Sequence, residues 1–262
     1  MAILKDKSAL VTGSTSGIGL GIARALARAG ANVMLNGFGD PAAIERLRGE
    51  LAAETGVQVL HHPADVSVAR EVAALVRAAE AAFGTVDILV NNAGIQFVAP
   101  VDEFPEERWD AIQDVILNAS FHAIKAALPG MKRRNWGRIV NVTSAHGLVA
   151  SPFKSAYVAA KHGQVGLTRS VALEVAEANI TCNAVCPGYV RTAIVEGQIE
   201  SQARAHGLSP ERVIREVILA TQPTKRFVQV EEIADLVVFL CGDSARSITG
   251  AAIAIDGGWT AR

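Results

Sequence analysis

The sequence predicts an α/β fold built on a doubly wound, mainly parallel sheet. Three observations point to it. Half of the 262 residues are hydrophobic, enough for one sizeable domain over residues 1–262, and no linker divides the chain. Short apolar runs alternate with helical segments along most of its length. The first run, SALVTG at 8–13, opens directly into GSTSGIGLGIARALARAG, a glycine-rich turn followed by an alanine-rich helix.

Bulk properties narrow the function. The formal net charge is −1, with no basic stripe and no interleaving of basic and aromatic residues, which argues against a nucleic-acid partner. MAILKDK lacks the apolar core of a signal peptide and the apolar runs elsewhere are too short to span a bilayer, so a cytoplasmic protein without a membrane partner is expected. Cys182, Cys186 and Cys241 are odd in number and stand near no metal-type histidine spacing, so buried free thiols are expected and no metal site is seen. His61 and His62, beside a loop, read as solvated.

Taken in order, the first element is the strand at 8–13, and the turn after it is suited to a dinucleotide. Gly13, Gly17 and Gly19 give G-x-x-x-G-x-G, with Thr15, Ser16 and Ile18 inside the same loop. Glycines let backbone approach a pyrophosphate closely, and the helix N-terminus presents unpaired N–H groups. The second strand, ANVMLN, ends at Asn36, where an Asp or Glu would hold the adenosine ribose hydroxyls. Gly37 and Phe38 follow, and neither there nor at Ser16 does an Arg or Lys stand ready for a 2′-phosphate, which favours NAD over NADP. Asp40 reads as the cap of PAAIERLRGELAAETG. The third strand, VQVLHHPADV, leads to Asp65 and Val66 in a loop that reaches the adenine. Asp65 either accepts from the adenine amino group or caps the next helix, DVSVAREVAALVRAAEAAFG. VDILV is the fourth strand, entering Asn91, Asn92, Ala93 and Gly94, a sharp turn beside the cofactor cleft. Glu103 to Arg134 is helical, interrupted near LNAS. Asn118 there either bonds locally and bends the helix or, opposite Lys161, holds a water in a proton relay.

The stretch NVTSAHGLVASPFKSAYVAAKHG, 141–163, carries the chemistry. Tyr157 and Lys161 are separated by VAA within helix-forming sequence, so their side chains share a face one turn apart. A tyrosine that serves as a base near neutrality needs its pKa lowered by about three units, about 4 kcal/mol, and a neighbouring ammonium supplies that sign of shift. Ser144 ends the apolar run RIVNV, so its hydroxyl emerges where a strand meets a loop and can bond the same substrate oxygen. An isolated Tyr-x-x-x-Lys is better read as a surface lysine beside a half-buried tyrosine; here it stands downstream of a nucleotide loop. TCNAVCPG follows, with Pro187 and Gly188 turning the chain above the cleft. Residues 192–222 hold two amphipathic segments, AIVEGQIESQARAHG and PERVIREVILATQ, which read as a lid, the second started by Ser209 and Pro210. EEIADLVVFLCGD and AAIAIDGG supply the last helix and strand.

TGxxxGIG at 12–19, NNAG at 91–94, Asn118, Ser144, Tyr-x-x-x-Lys at 157–161 and PG at 187–188 occur in one order over most of the chain. Together they resemble the classical short-chain dehydrogenases. The resemblance implies a Rossmann sheet of about seven strands, a homotetramer, and roles for four residues. Tyr157 would be the acid/base and Ser144 would position the substrate oxygen. Lys161 would lower the tyrosine pKa and hold the nicotinamide ribose, and Asn118 would complete the relay. It also places Val190 and Thr192, after the Pro-Gly turn, against the cofactor. NNAGIQ, SAHG, KSAYVAAKHG and PGYVRTAIVEGQI resemble bacterial D-3-hydroxybutyrate dehydrogenases in particular. That resemblance implies a small anionic hydroxy acid whose carboxylate is bound by Gln96, His146, Lys154 and Gln198. Tyr189 departs from the tryptophan expected after Pro-Gly, and Trp259 either lines the pocket or packs against another subunit. A 3-oxoacyl-carrier-protein reductase, a sugar alcohol dehydrogenase and a non-catalytic NAD-binding regulator are the competing assignments.

Overall fold

The computed structural model describes residues 3–261 apart from 193, 194, 197, 198, 201, 202, 205 and 206. Seven strands form one sheet: β1 (Ser8–Val11), β2 (Asn32–Asn36), β3 (Val59–His62), β4 (Ile88–Asn91), β5 (Gly137–Val142), β6 (Ile180–Pro187) and β7 (Ala252–Ile255). Their order is β3-β2-β1-β4-β5-β6-β7 and every neighbouring pair is parallel. The winding reverses between β1 and β4, where Ala9 to Val11 lie in register with Ile88 to Val90. Loops leaving the carboxyl ends of these two strands diverge there and open a crevice.

Parallel strands covered on both faces need near-continuous apolar sequence. SALV, ILVN, GRIVNV and ITCNAVCP are buried at every position. Their side chains alternate between two cores. Val11, Val33, Leu35 and Val90 pack with α1 (Gly17–Arg28) and a late helix at Val230–Cys241. Leu10, Met34 and Leu89 pack with helices at Ala69–Phe83 and Ala119–Arg134. In chain order the helices with fully described bounds after α1 are α2 (Pro41–Thr55), α3 (Ala69–Phe83), α4 (Glu106–Gln113), α5 (Ala119–Arg134), α6 (Ser155–Glu174), α7 (Pro210–Val213) and α8 (Val230–Cys241). A Cβ on Gly21 would lie 2.1 Å from Val230 Cγ1, so the missing side chain is what lets α1 and α8 cross closely.

The Asp40 carboxylate accepts from the Ala43 N–H at 2.8 Å and caps α2, and the Ser209 hydroxyl accepts from Arg212 at the start of α7. The interruption near LNAS is a π turn, Asp114–Asn118, that joins α4 to α5, with the Ala119 N–H reaching back to the Asp114 carbonyl. His61 and His62 are half-buried in β3 rather than solvated, and His61 Nε2 lies 2.9 Å from the Gly37 carbonyl. All three cysteines are free and buried. Among the described residues no helix is long and apolar enough to cross a membrane.

Candidate active site

The glycine turn sits at the mouth of the crevice. Gly13 and Gly17 have φ of +61° and +55°, a backbone region that suits glycine. A Cβ on Gly19 would fall 2.2 Å from the Gly13 carbonyl oxygen, whereas one on Gly17 would meet nothing within 4 Å. Ser16, the N-cap of α1, makes no side-chain capping bond, so the first-turn N–H groups are left for an anion. Three side chains brace the turn. The Gly13 N–H donates to Asn36 Oδ1 at 3.3 Å, and Asn36 Nδ2 donates to the carbonyls of His62 and Ala64. Asn92 Nδ2 donates to the carbonyls of Thr12 and Gly13, each at 3.0 Å, while Thr12 Oγ1 accepts from the N–H groups of Asn92 and Ala93.

Asn36 therefore ties strand ends together, buried at 1% exposure. Thr15 donates to the Phe38 carbonyl and the Phe38 ring is exposed. A side cavity of about 290 Å³ opens beyond it, lined by Phe38, Glu45 and His61 among others. Asp65 Oδ1 accepts from the backbone N–H and the hydroxyl of Ser67, at 2.9 and 2.7 Å, fixing the turn before α3. Val68 rather than Asp65 is the N-cap, and Val66 is buried beside it.

A cavity of about 1010 Å³ runs from the turn into the catalytic half. Ile18, Asn92, Gly94, Gln96, Lys154, Tyr157, Lys161 and Tyr189 line it, with Phe97, Val98, Val195, Val217 and Ile218 adding apolar wall. Ser144 Oγ accepts from the His146 N–H at 3.1 Å, which holds the serine at the start of the Ala145–Gly147 turn. Burial pushes the Tyr157 phenol above its ordinary pKa, and a hydrogen bond with Ser144 pulls it part of the way back.

Two expectations are corrected here. The Tyr157 pKa is raised rather than lowered, and the Lys161 ammonium is engaged elsewhere. Its Nζ donates to the Val142 carbonyl at 2.8 Å and to Gln164 Oε1 at 3.3 Å, and lies 5.6 Å from the centre of the tyrosine ring. Burial lowers the lysine itself to about 7, with a weak opposing effect from Cys186. Asn118 is exposed at the end of the π turn, and its Nδ2 donates to Asp114 Oδ1 at 2.7 Å. The local bond wins, because the π turn points Asn118 outward while Ile116, fully buried, packs inward with Tyr157 and Ala160.

His146 is buried edge-on to Tyr157 and Trp259, with ring centres 6.1 and 5.0 Å away. Burial, reinforced by the charge of Lys154, lowers its pKa to about 4. His146 is thus neutral at pH 7, and burial lowers the Lys154 pKa too. Tyr189 stacks on Trp259 at 5.3 Å, so the aromatic bulk expected from one tryptophan comes from a tyrosine backed by another. Pro187 closes β6, and a Cβ on Gly188 would fall 2.5 Å from Gln222 Oε1. Val190 bridges to Val228, and Thr192 Oγ1 accepts from the Val195 N–H at 3.4 Å. Gln198 lies outside the described residues, as does much of the first lid segment.

A family model described as enoyl-(acyl carrier protein) reductase matches residues 13–260. The D-beta-hydroxybutyrate dehydrogenase of Rhizobium meliloti (strain 1021) is 57% identical over 256 residues, covering 98% of this chain and 99% of that protein. The chain belongs to the short-chain dehydrogenases. A second D-beta-hydroxybutyrate dehydrogenase, from Cupriavidus necator, is 53% identical over 261 residues, 99% of this chain and all of the relative. The short-chain dehydrogenase also matches the crystal structure of an actinorhodin polyketide ketoreductase variant with NADPH, at 37% identity and a TM-score of 0.89, over 98% of each chain.

Several residues of this short-chain dehydrogenase that matter to the site carried little signal in the sequence. Thr12 stands inside the TG of the turn, and Asn36 occupies the place where an acid was sought. Gln164 and Ser120, both buried, are the polar groups nearest to Lys161 along its hydrogen bonds. A glutamine on the buried face of α6 was the available clue.

Proposed function

We propose that the protein oxidises D-3-hydroxybutyrate to acetoacetate, reversibly, with NAD as the hydride acceptor. The observation that carries this is the placing of Lys154 and Gln96 on the wall of the cavity that holds Tyr157, with neutral His146 behind it. That arrangement offers one cation and the Gln96 amide to a carboxylate in the same cavity as Tyr157. Two relatives at 57% and 53% identity, named for this activity over their whole length, support the same substrate.

The glycine turn fits a dinucleotide: its cradle is free of side chains at Gly17 and its helix N-terminus is uncapped. When bound, that cofactor supplies the hydride acceptor. Gly13, Gly17, Gly19 and the Asn92–Gly94 turn would hold it. Among the described residues no Arg or Lys lines the side cavity next to Phe38, which supports NAD over NADP. In reduction the Tyr157 phenol, protonated in this geometry, gives its proton to the substrate oxygen while Ser144 bonds the same oxygen; oxidation is the reverse, runs through the phenolate and so gains with rising pH. The apolar wall, with Val195, Val217 and Ile218 contributed by the lid segment, excludes water and strengthens the Lys154 contact to the carboxylate. Exposed Phe121 on α5 and Leu173 on α6 support packing of copies into a homotetramer.

The test is a panel of initial rates: D-3-hydroxybutyrate with NAD, beside the L isomer, NADP, and an uncharged secondary alcohol of the same size. Turnover confined to the D acid with NAD is expected. Activity on the neutral alcohol but not the acid would remove the substrate and keep the tyrosine chemistry.

A further inference from the structure

Lys161 is only 3% exposed, and a buried ammonium is costly unless acceptors surround it. One acceptor is the Val142 carbonyl on β5; the other is Gln164 Oε1, one turn further along α6. Gln164 Nε2 in turn donates to Ser120 Oγ at 2.8 Å, across to α5, and the Ser120 hydroxyl donates to the Ile116 carbonyl at 2.7 Å, inside the π turn. Gln164 and Ser120 are 1% and 2% exposed.

The chain has one polarity. An ammonium only donates, so it takes the amide oxygen. The amide nitrogen then faces Ser120, whose single proton is already committed to Ile116. Ser120 thereby prevents the amide from turning its N–H groups toward Lys161. A buried amide and hydroxyl add little net stability, and an apolar pair of the same shape would serve packing equally well. Their neighbours Ala160 and Val165 are apolar. What the polar pair does provide is an acceptor fixed on the lysine.

We infer that Gln164, oriented by Ser120, is a positioning residue that keeps Lys161 charged and directed beneath Tyr157. It fills the place in the relay that the sequence assigned to Asn118. The inference rests on the function proposed above insofar as Lys161 serves Tyr157. Groups facing the lysine are Tyr157 on its own helix, Gln164, the Val142 carbonyl and the Cys186 thiol of β6, which burial keeps protonated. Burial brings Lys161 to about 7, so a lost acceptor shifts its charge within the working range of pH.

The experiment compares wild type, Gln164→Leu, Gln164→Glu and Ser120→Ala, each with and without Lys161→Met. Urea midpoints from pH 5 to pH 10 give the titration of Lys161 in the folded protein as the pH-dependent difference between each pair, and the pH profile of kcat with D-3-hydroxybutyrate and NAD is recorded alongside. Gln164→Leu is expected to move the lysine titration down by about one pH unit, a tenfold change in the proton equilibrium, and the kcat profile with it. Gln164→Glu moves both upward, and Ser120→Ala gives a smaller downward shift that stands in if the leucine variant does not fold. Unmoved titrations in Ser120→Ala and in any folded Gln164 variant would overturn the inference. A shifted titration in a protein whose wild type does not turn over the acid would instead overturn the substrate, leaving the lysine positioning in place.

Discussion

Replacing Lys161 by methionine removes a charge that folding carries out of water while keeping a side chain of similar length. The lysine falls from an ordinary 10.5 to about 7 because of burial. That difference, at about 1.4 kcal/mol per pKa unit, amounts to about 5 kcal/mol. The sign follows from proton counts. Below pH 7 both folded and unfolded chains hold the proton and the folded state bears the whole cost. Between pH 7 and 10.5 the unfolded chain holds more protons, so the wild type gains stability as pH rises; above 10.5 both are neutral and the cost is gone. Urea unfolding at fixed protein concentration, from pH 6 to pH 10, measures the stability of Lys161→Met minus that of wild type. This difference should be flat below pH 7 and then fall by about 1.4 kcal/mol per unit. Other titrating groups cancel in the difference. A difference that stays constant from pH 6 to pH 10 would refute the desolvation of Lys161.

Two further outcomes follow from the geometry. Gly19→Ala puts a methyl 2.2 Å from the Gly13 carbonyl oxygen and 2.4 Å from Asn92 Nδ2, so NADH binding, followed by fluorescence, should be lost. Intact binding in that variant would mean that the turn yields more readily than its bracing implies. Asn118→Ala removes an exposed side chain bonded to Asp114, and kcat should stay within about twofold of wild type, as for surface substitutions elsewhere; a loss of a hundredfold would restore Asn118 to the relay.

The sheet was legible because parallel strands buried on both faces must be apolar throughout, and SALV, VDILV, RIVNV and ITCNAVC announce themselves without an alignment. The glycine turn was legible for a similar reason, since the backbone there tolerates no other residue at Gly13 and Gly19. Asn118 was misplaced because its role depended on helix phase. A π turn adds a residue to one turn, and the sequence gives no sign of that addition. Directions of pKa shift were equally hidden: Tyr157 and Lys161 are one turn apart as expected, yet the lysine ammonium turns to the carbonyl of Val142, on a strand 19 residues away, and to Gln164 on its own helix. Asn36 reads as an absent acid in the sequence and as a three-way brace in the fold, a role visible only once β1, β2 and β3 lie side by side.

Tyr157→Phe tests the central claim most directly, because it removes one oxygen from the cavity wall and leaves the ring in place. Single-turnover oxidation of D-3-hydroxybutyrate and equilibrium binding of NADH would be measured on the same preparation. Loss of oxidation by about a thousandfold, in the range of general acid–base contributions, with NADH binding unchanged, is the predicted result. A variant that binds NADH normally and oxidises the acid at the wild-type rate would contradict it.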